Sequence, residues 1–215
     1  MARIAPSVLA ADFARLGEEI ADCDRCEVDL LHLDIMDGHF VPNISFGPGI
    51  VKTIDRLTGC FLDVHLMLSE PEKYFEAFQK AGADAITFHI EVHPDPRDYA
   101  ARLHEMGVKA GISLNPDAKA DAVIPYLEYF DHLLVMSVFP GFGGQSFIES
   151  TLDTVRAARE YIDERGLETE ILVDGGVGPE NAARVVGAGA HILVMGTAFF
   201  RHNDRMRLTK LVQGL

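Results

Sequence analysis

Eight short apolar runs recur along this 215-residue chain, each followed by a longer stretch with helical patterning. The runs are RIAPSV (3–8), DLLHLDIM (29–36), FLDVHLM (61–67), AITFHI (85–90), VKAGISL (108–114), HLLVMSV (132–138), EILVDG (170–175) and HILVMG (191–196). Their length and near-continuous apolar character read as buried strands. The stretches between them, 12–24, 47–58, 71–81, 96–106, 118–127, 149–165, 179–188 and 203–213, read as helices. Ser69-Glu70-Pro71-Glu72 offers a cap, a first-turn proline and early acidic residues, and Gly178-Pro179-Glu180-Asn181 repeats the pattern. Several stretches end on glycine, at Gly82, Gly107, Gly166 and Gly189.

Buried strands alternating with helices predict a parallel sheet covered on its outer side. Eight such units in this length predict the α/β class and a compact (β/α)8 TIM barrel. An open doubly wound sheet is the alternative. Candidate site residues close the first four strands and the last three. A barrel gathers all of those ends at one mouth, whereas an open sheet concentrates its site at one switch point. No linker or break in composition interrupts the pattern, so one domain is expected over residues 1–215.

The formal net charge is -14, from 19 basic and 33 acidic residues. A nucleic-acid partner needs a basic face and is not expected. A phosphorylated substrate would have to be held locally, by backbone N–H groups. No apolar run approaches the ~20 residues of a membrane span. The N-terminal segment has no basic stretch followed by an apolar core, so no signal peptide is read and a cytoplasmic location is expected. Cys23 and Cys26 form a lone C-x2-C, and Cys60 is the third cysteine. They read as ordinary thiols in a reducing compartment.

Four strand-end residues carry the chemistry: His32, Asp34, His65 and Asp174. His32 and Asp34 are two apart, so on a strand they share a face. One strand-end histidine is ordinarily a core residue. Two histidines and two aspartates at one mouth would instead hold one divalent ion, with Zn2+, Fe2+, Mn2+ and Co2+ all compatible. The two carboxylates also look like an acid/base pair, which suggests a metal-assisted proton shuttle. Glycine-rich turns follow the last three strands: Gly141-Phe142-Gly143-Gly144, Gly175-Gly176 and Gly196-Thr197. That is where barrels of this type hold phosphate. Met36, Met67 and Met136 read either as core filling or as a polarizable cap over a reacting centre. Ser7 could hydrogen-bond a substrate oxygen. His89 and Glu91 could support the metal ligands, and Asp63 reads as structural or supporting. Asp37 reads as a loop-shaping residue. Lys109 begins a strand rather than ending one, which argues against Schiff-base chemistry.

Over essentially its whole length the chain resembles the ribulose-phosphate 3-epimerase family. The matching segments are APSVLAADF (5–13), HLDIMDGHFVPNISFGP (32–48), DVHLM (63–67), AGAD (81–84), PGFGGQ (140–145), VDGGV (173–177) and MGTAFF (195–200). The resemblance implies a (β/α)8 barrel with a divalent metal on His32, Asp34, His65 and Asp174. It implies epimerisation of D-ribulose 5-phosphate and D-xylulose 5-phosphate, a pentose phosphate pathway step. Asp34 would accept the C3 proton and Asp174 would donate one, with roles reversed in the other direction. Ser7 and His65 would contact the sugar. The residues from Gly141 to Gly144, with Gly175, Gly176, Gly196 and Thr197, would contact the phosphate. Met36, Met67 and Met136 would form the cap, and a homo-oligomer would be expected. The chain departs from the family at Phe139, at Thr197 in place of serine, and in HIEVHPDP (89–96). Phe139 leaves a hexulose phosphate such as allulose 6-phosphate as the alternative substrate. A metal-dependent barrel aldolase or lyase, and a non-catalytic sugar-phosphate binder, are the other readings.

Overall fold

The computed structural model describes residues 1–93 and 95–215. Eight strands lie at β1 (Arg3–Pro6), β2 (Leu30–Met36), β3 (Phe61–Met67), β4 (Ala85–His89), β5 (Lys109–Leu114), β6 (His132–Met136), β7 (Glu170–Asp174) and β8 (Ile192–Met195). They form one parallel sheet in the order β1-β8-β7-β6-β5-β4-β3-β2. A single bridge between Ser7 and His32 joins the two edges and closes the barrel. The seam therefore lies beside a proposed metal ligand.

Helices α1 (Leu16–Arg25), α2 (Pro48–Asp55), α3 (Phe75–Gln79), α4 (Arg97–Glu105), α5 (Thr151–Arg165), α6 (Ala182–Gly187), α7 (Thr197–Phe200) and α8 (Arg205–Gln213) surround it. Three expectations need correction. Residues 118–127 form no α-helix; the segment is two 3-10 turns, Ala120–Ala122 and Ile124–Tyr129. Pro125 has no N–H to give, and its ring would clash with the carbonyl four residues earlier in an α-helix. Pro71 opens a 3-10 turn rather than α3, and Ser69 caps nothing; its N–H donates to Asp37 Oδ2 at 3.0 Å. Asn181, not Gly178, stands at the start of α6, and its amide is used elsewhere. It accepts from Gly178 N and donates to Gly176 O, both at 2.9 Å, bracing the glycine turn after β7. Of HIEVHPDP, Pro94 lies outside the described residues, Ile90–Val92 is a 3-10 turn, and α4 begins at Arg97.

Alternate residues of each strand face opposite ways. One set, including Leu31, Leu33, Val64, Leu66, Ile112, Val135, Val173 and Leu193, packs beneath the helices as the main core. The other set fills the barrel, and it is divided. Ala5, Leu134, Met136, Leu172, Ile192 and Val194 form an apolar cluster. On β2 to β5 and the start of β6 the polar members of the inward set are His32, Asp34, Asp63, His65, Thr87, His89, Ser113 and His132, all buried. Buried polar groups on this scale must satisfy one another or a ligand. Among the described residues, no helix is long and apolar enough to cross a membrane.

Candidate metal centre and substrate cavity

β2, β3 and β7 each deliver their site residues at the carboxyl end of the strand. One ligand atom from each of His32, Asp34, His65 and Asp174 lies within 4.8 Å of the other three. Register explains the pairing: Asp34 sits opposite His65, and Met136 opposite Asp174. Asp34 is the hub. Its Oδ1 is 3.1 Å from His65 Nδ1 and 3.2 Å from His32 Nε2, while its Oδ2 accepts from Ser7 Oγ at 2.5 Å. The far nitrogens are held from behind. His32 Nδ1 lies 2.8 Å from Asp63 Oδ2, and His65 Nε2 lies 2.9 Å from His89 Nε2. His89 Nδ1 is 3.3 Å from Glu91 Oε2. His32 Nε2 is fully buried without an aligned hydrogen-bond partner. Orphaned in this way and facing two carboxylates, it suits a cation better than a donor. Two imidazole nitrogens and two carboxylate oxygens are the donor set of a divalent transition ion, so these residues fit one.

The same crowding separates the two acids. Burial and the charge of Asp34 push the Asp174 carboxyl up, to about 7. Burial also opposes ionisation of Asp34, but His32 and His65 outweigh it and hold that carboxyl well below the usual range. Asp63 is likewise held low against its burial, by His132 and His32. Burial pushes His65 down to about 4. For His32 burial is outweighed by Asp34 and Asp63, which raise it. A proton on His32 does there what a bound cation would do. The two aspartates that share this cavity are thus pushed in opposite directions, Asp34 towards the ionised form and Asp174 towards the protonated one, the asymmetry general acid/base chemistry uses.

The cavity at this mouth has a volume of about 580 Å³. It is lined by Asp34 and Asp174, by Ser7, which donates to Asp34, and by Met36, Met67 and Met136. Gly141, Phe142, Gly143, Gly144, Gly175, Gly176, Gly196 and Thr197 line its other end. Two of the glycines are required there. Gly176 has φ +63°, and a Cβ on it would lie 2.6 Å from Phe147 N. Gly175 has φ +117°, and its Cβ would lie 2.8 Å from Val138 N. Asn43 Nδ2 donates to Gly141 O at 2.6 Å and ties the loop after β2 to the loop after β6.

Two of the singled-out residues lie off the cavity lining. His65 does not line the cavity, because it is fully buried with both ring nitrogens engaged. Phe139 does not line it either and is 52% exposed. Asp37 does shape its loop, accepting from His39 N and Phe40 N at 2.8 and 2.9 Å. The cysteines are free thiols, and burial pushes Cys23 and Cys60 up, away from reactivity. Sequence reasoning missed Thr87 and His132, which meet Asp63, and Arg201 and Glu180, which line the glycine end of the cavity. Thr87 and His132 lie mid-strand or at a strand start, where no motif marks them. Arg201 falls just after MGTAFF and could have been found as the nearest cation to a phosphate turn. It is the single Lys or Arg lining the cavity, and no carboxylate pairs with it among the described residues.

A profile of the ribulose-phosphate 3 epimerase family matches residues 3–200. A ribulose-phosphate 3-epimerase from Synechocystis sp. is 51% identical over 199 residues, covering 92% of this chain and 86% of that protein. Another from Bacillus subtilis is 44% identical over 215 residues, covering 100% and 99%. Among solved structures, KGPDC from Streptococcus mutans superposes with a TM-score of 0.74 over 100% of this chain and 96% of that one. At 12% identity that likeness is one of fold alone.

Proposed function

The chain belongs to the ribulose-phosphate 3-epimerase family, and on that premise we propose that it interconverts D-ribulose 5-phosphate and D-xylulose 5-phosphate through Asp34 and Asp174. The observation that carries the reading is geometric: Asp34 and Asp174 both line one cavity, and each brings a carboxylate oxygen within 4.8 Å of the other and of one nitrogen each from His32 and His65. Asp34, ionised, takes the C3 proton. The substrate becomes planar at C3 as an enediolate. Asp174, protonated, returns a proton from its own side, with β1 and β8 separating the two residues around the barrel. Inversion needs two acids because one carboxylate reaches one side of a planar carbon. In the reverse direction the roles exchange.

A divalent ion held by His32, Asp34, His65 and Asp174 would supply Lewis-acid stabilisation of the negative charge that develops next to C3. Ser7 Oγ orients the Asp34 carboxylate and stands ready for a sugar hydroxyl. The three methionines keep water from the reacting carbon. The glycine turns and Arg201 bind the phosphate, far enough from C3 that its binding energy serves orientation. We take residues 1–215 as one catalytic domain of a cytoplasmic homo-oligomer, which sedimentation and cell fractionation check.

Incubation of D-ribulose 5-phosphate with the enzyme in D2O tests the reading. Xylulose 5-phosphate should accumulate with deuterium at C3, seen by NMR. Loss of carbon atoms from the product would point to an aldolase or lyase. Absence of C3 exchange would remove the two-carboxylate scheme, and faster turnover of allulose 6-phosphate would move the substrate to hexulose phosphates.

A further inference from the structure

Behind the metal centre lies a buried polar chain that the proposed reaction does not use. Asp63 sits opposite His32 in register and is 1% exposed. Its Oδ1 accepts from Thr87 Oγ1 at 3.1 Å and lies 3.4 Å from His132 Nε2. Thr87 Oγ1 and His132 Nε2 are 2.6 Å apart. These two residues belong to β4 and β6, with β5 between them. They meet because the residue between them is Gly111, paired with Thr87 on one side and His132 on the other. A Cβ at Gly111 would lie 2.1 Å from His132 Nε2 and 2.2 Å from Thr87 Oγ1. None of the four lines the mouth cavity. Asp63 and His132 reach instead a separate cavity of about 160 Å³ lined also by Arg3, Lys109 and Glu170 at the strand starts.

With His32 neutral, as a metal ligand must be, one proton arrangement satisfies every contact along this chain. An ionised carboxylate only accepts. His32 Nδ1 must therefore carry the proton it shares with Asp63 Oδ2 at 2.8 Å. Thr87 has one proton, and it goes to Asp63 Oδ1. The short Thr87–His132 contact is then filled by the Nε2–H of His132. His32 Nε2 is left bare, and it is the buried atom with no aligned partner in the metal quartet. A carboxylate on the barrel axis is costly to bury. The neighbouring interior is filled with Leu134, Leu172 and Ile192, so an apolar residue could occupy the space.

We propose that Asp63, seated by Thr87 and His132 across the gap at Gly111, is a positioning residue that fixes the Nδ1–H form of His32 and so sets the affinity of the metal centre. The inference rests on the metal reading of the quartet. Carboxylate partners behind a ligating histidine are typically worth roughly 10- to 100-fold in metal affinity. Asp63→Asn keeps the shape and removes the charge.

The test is Zn2+ affinity, measured by competition with a chromophoric chelator, on the whole chain and on Asp63→Asn, each with its circular dichroism spectrum. Asp63→Asn should keep the wild-type spectrum and bind Zn2+ roughly 10- to 100-fold more weakly. A folded variant that binds within about twofold of the parent overturns the proposal and leaves the metal reading standing. A parent chain that binds no divalent ion overturns both. Should Asp63→Asn fail to fold, the Zn2+-loaded parent decides by NMR of 15N-labelled histidine. A slowly exchanging Nδ1 proton on His32 is expected, and an Nε2 proton or a rapidly exchanging Nδ1 proton overturns the assignment. Thr87→Val gives a milder check, since it should lower Zn2+ affinity and speed exchange of that proton.

Discussion

Asp34 and Asp174 are chemically the same residue and are driven apart by their neighbours. Asp34 has two imidazoles and the Ser7 hydroxyl against it, whereas Asp174 has burial and a facing carboxylate. Asp34→Asn and Asp174→Asn should each lower kcat by about 10²- to 10⁴-fold, the usual contribution of a positioned acid or base. Both variants should retain the parent's circular dichroism, and near-normal turnover by either would sink the scheme. Arg201 offers a second check at this scale. It is exposed and unpaired at the cavity rim, where solvent weakens it. Arg201→Gln should raise KM for a ketose phosphate by about tenfold, as expected for loss of one charge-assisted contact, with kcat nearly unchanged. An unaltered KM would show that the glycine turns hold the phosphate without it.

Strands and turns divide the work between them. The strands alternate cleanly, so the same eight segments build the apolar layer under the helices and the polar half of the barrel interior. In the turn after β7 side chains would obstruct the backbone at Gly175 and Gly176, whereas Gly143 and Gly144 after β6 have open space around them. Gly176→Ala places a Cβ in contact with Phe147 N in a left-handed conformation, so it should cost roughly 1–3 kcal/mol in denaturant unfolding and raise KM. Gly143→Ala, with open space around its Cβ, should unfold within about 0.5 kcal/mol of the parent. Equal losses from the two substitutions would refute a backbone requirement specific to Gly176. The segment 118–129 carries the converse lesson: amphipathic spacing suggested a helix, but Pro125 lets only short 3-10 turns form.

At the scale of the whole barrel, the centre links stability to protons and to metal. Asp174 has a raised pKa in the folded chain, about 7 against an ordinary value of 3.8. A carboxyl raised in this way contributes stability below its unfolded value and loses it as pH rises through the folded one. The metal-free chain should therefore lose melting temperature between about pH 4 and 7 relative to Asp174→Asn, and a slope of opposite sign would contradict the assignment. Chelation should abolish turnover, and adding back a divalent ion should restore it. At 100 times its dissociation constant, that ion should stabilise the fold by about 2.7 kcal/mol. Its gain should grow with pH, because the ligands bind deprotonated. The sequence by itself determined the strand order, seven of the eight helices, the barrel class, and the quartet of His32, Asp34, His65 and Asp174. All of these follow from local periodicity and from strand-end position, which a linear chain carries in full. It also determined the glycine turns and the methionines that line one cavity. Only the tertiary structure decided which groups meet across strands: Ser7 on Asp34 at the seam, His89 behind His65, and Asp63 with Thr87 and His132 across Gly111. It moved His65 and Phe139 out of the cavity and brought Arg201 into it. Those contacts depend on register around a closed ring, and register joins residues that lie 24 to 45 positions apart in the chain.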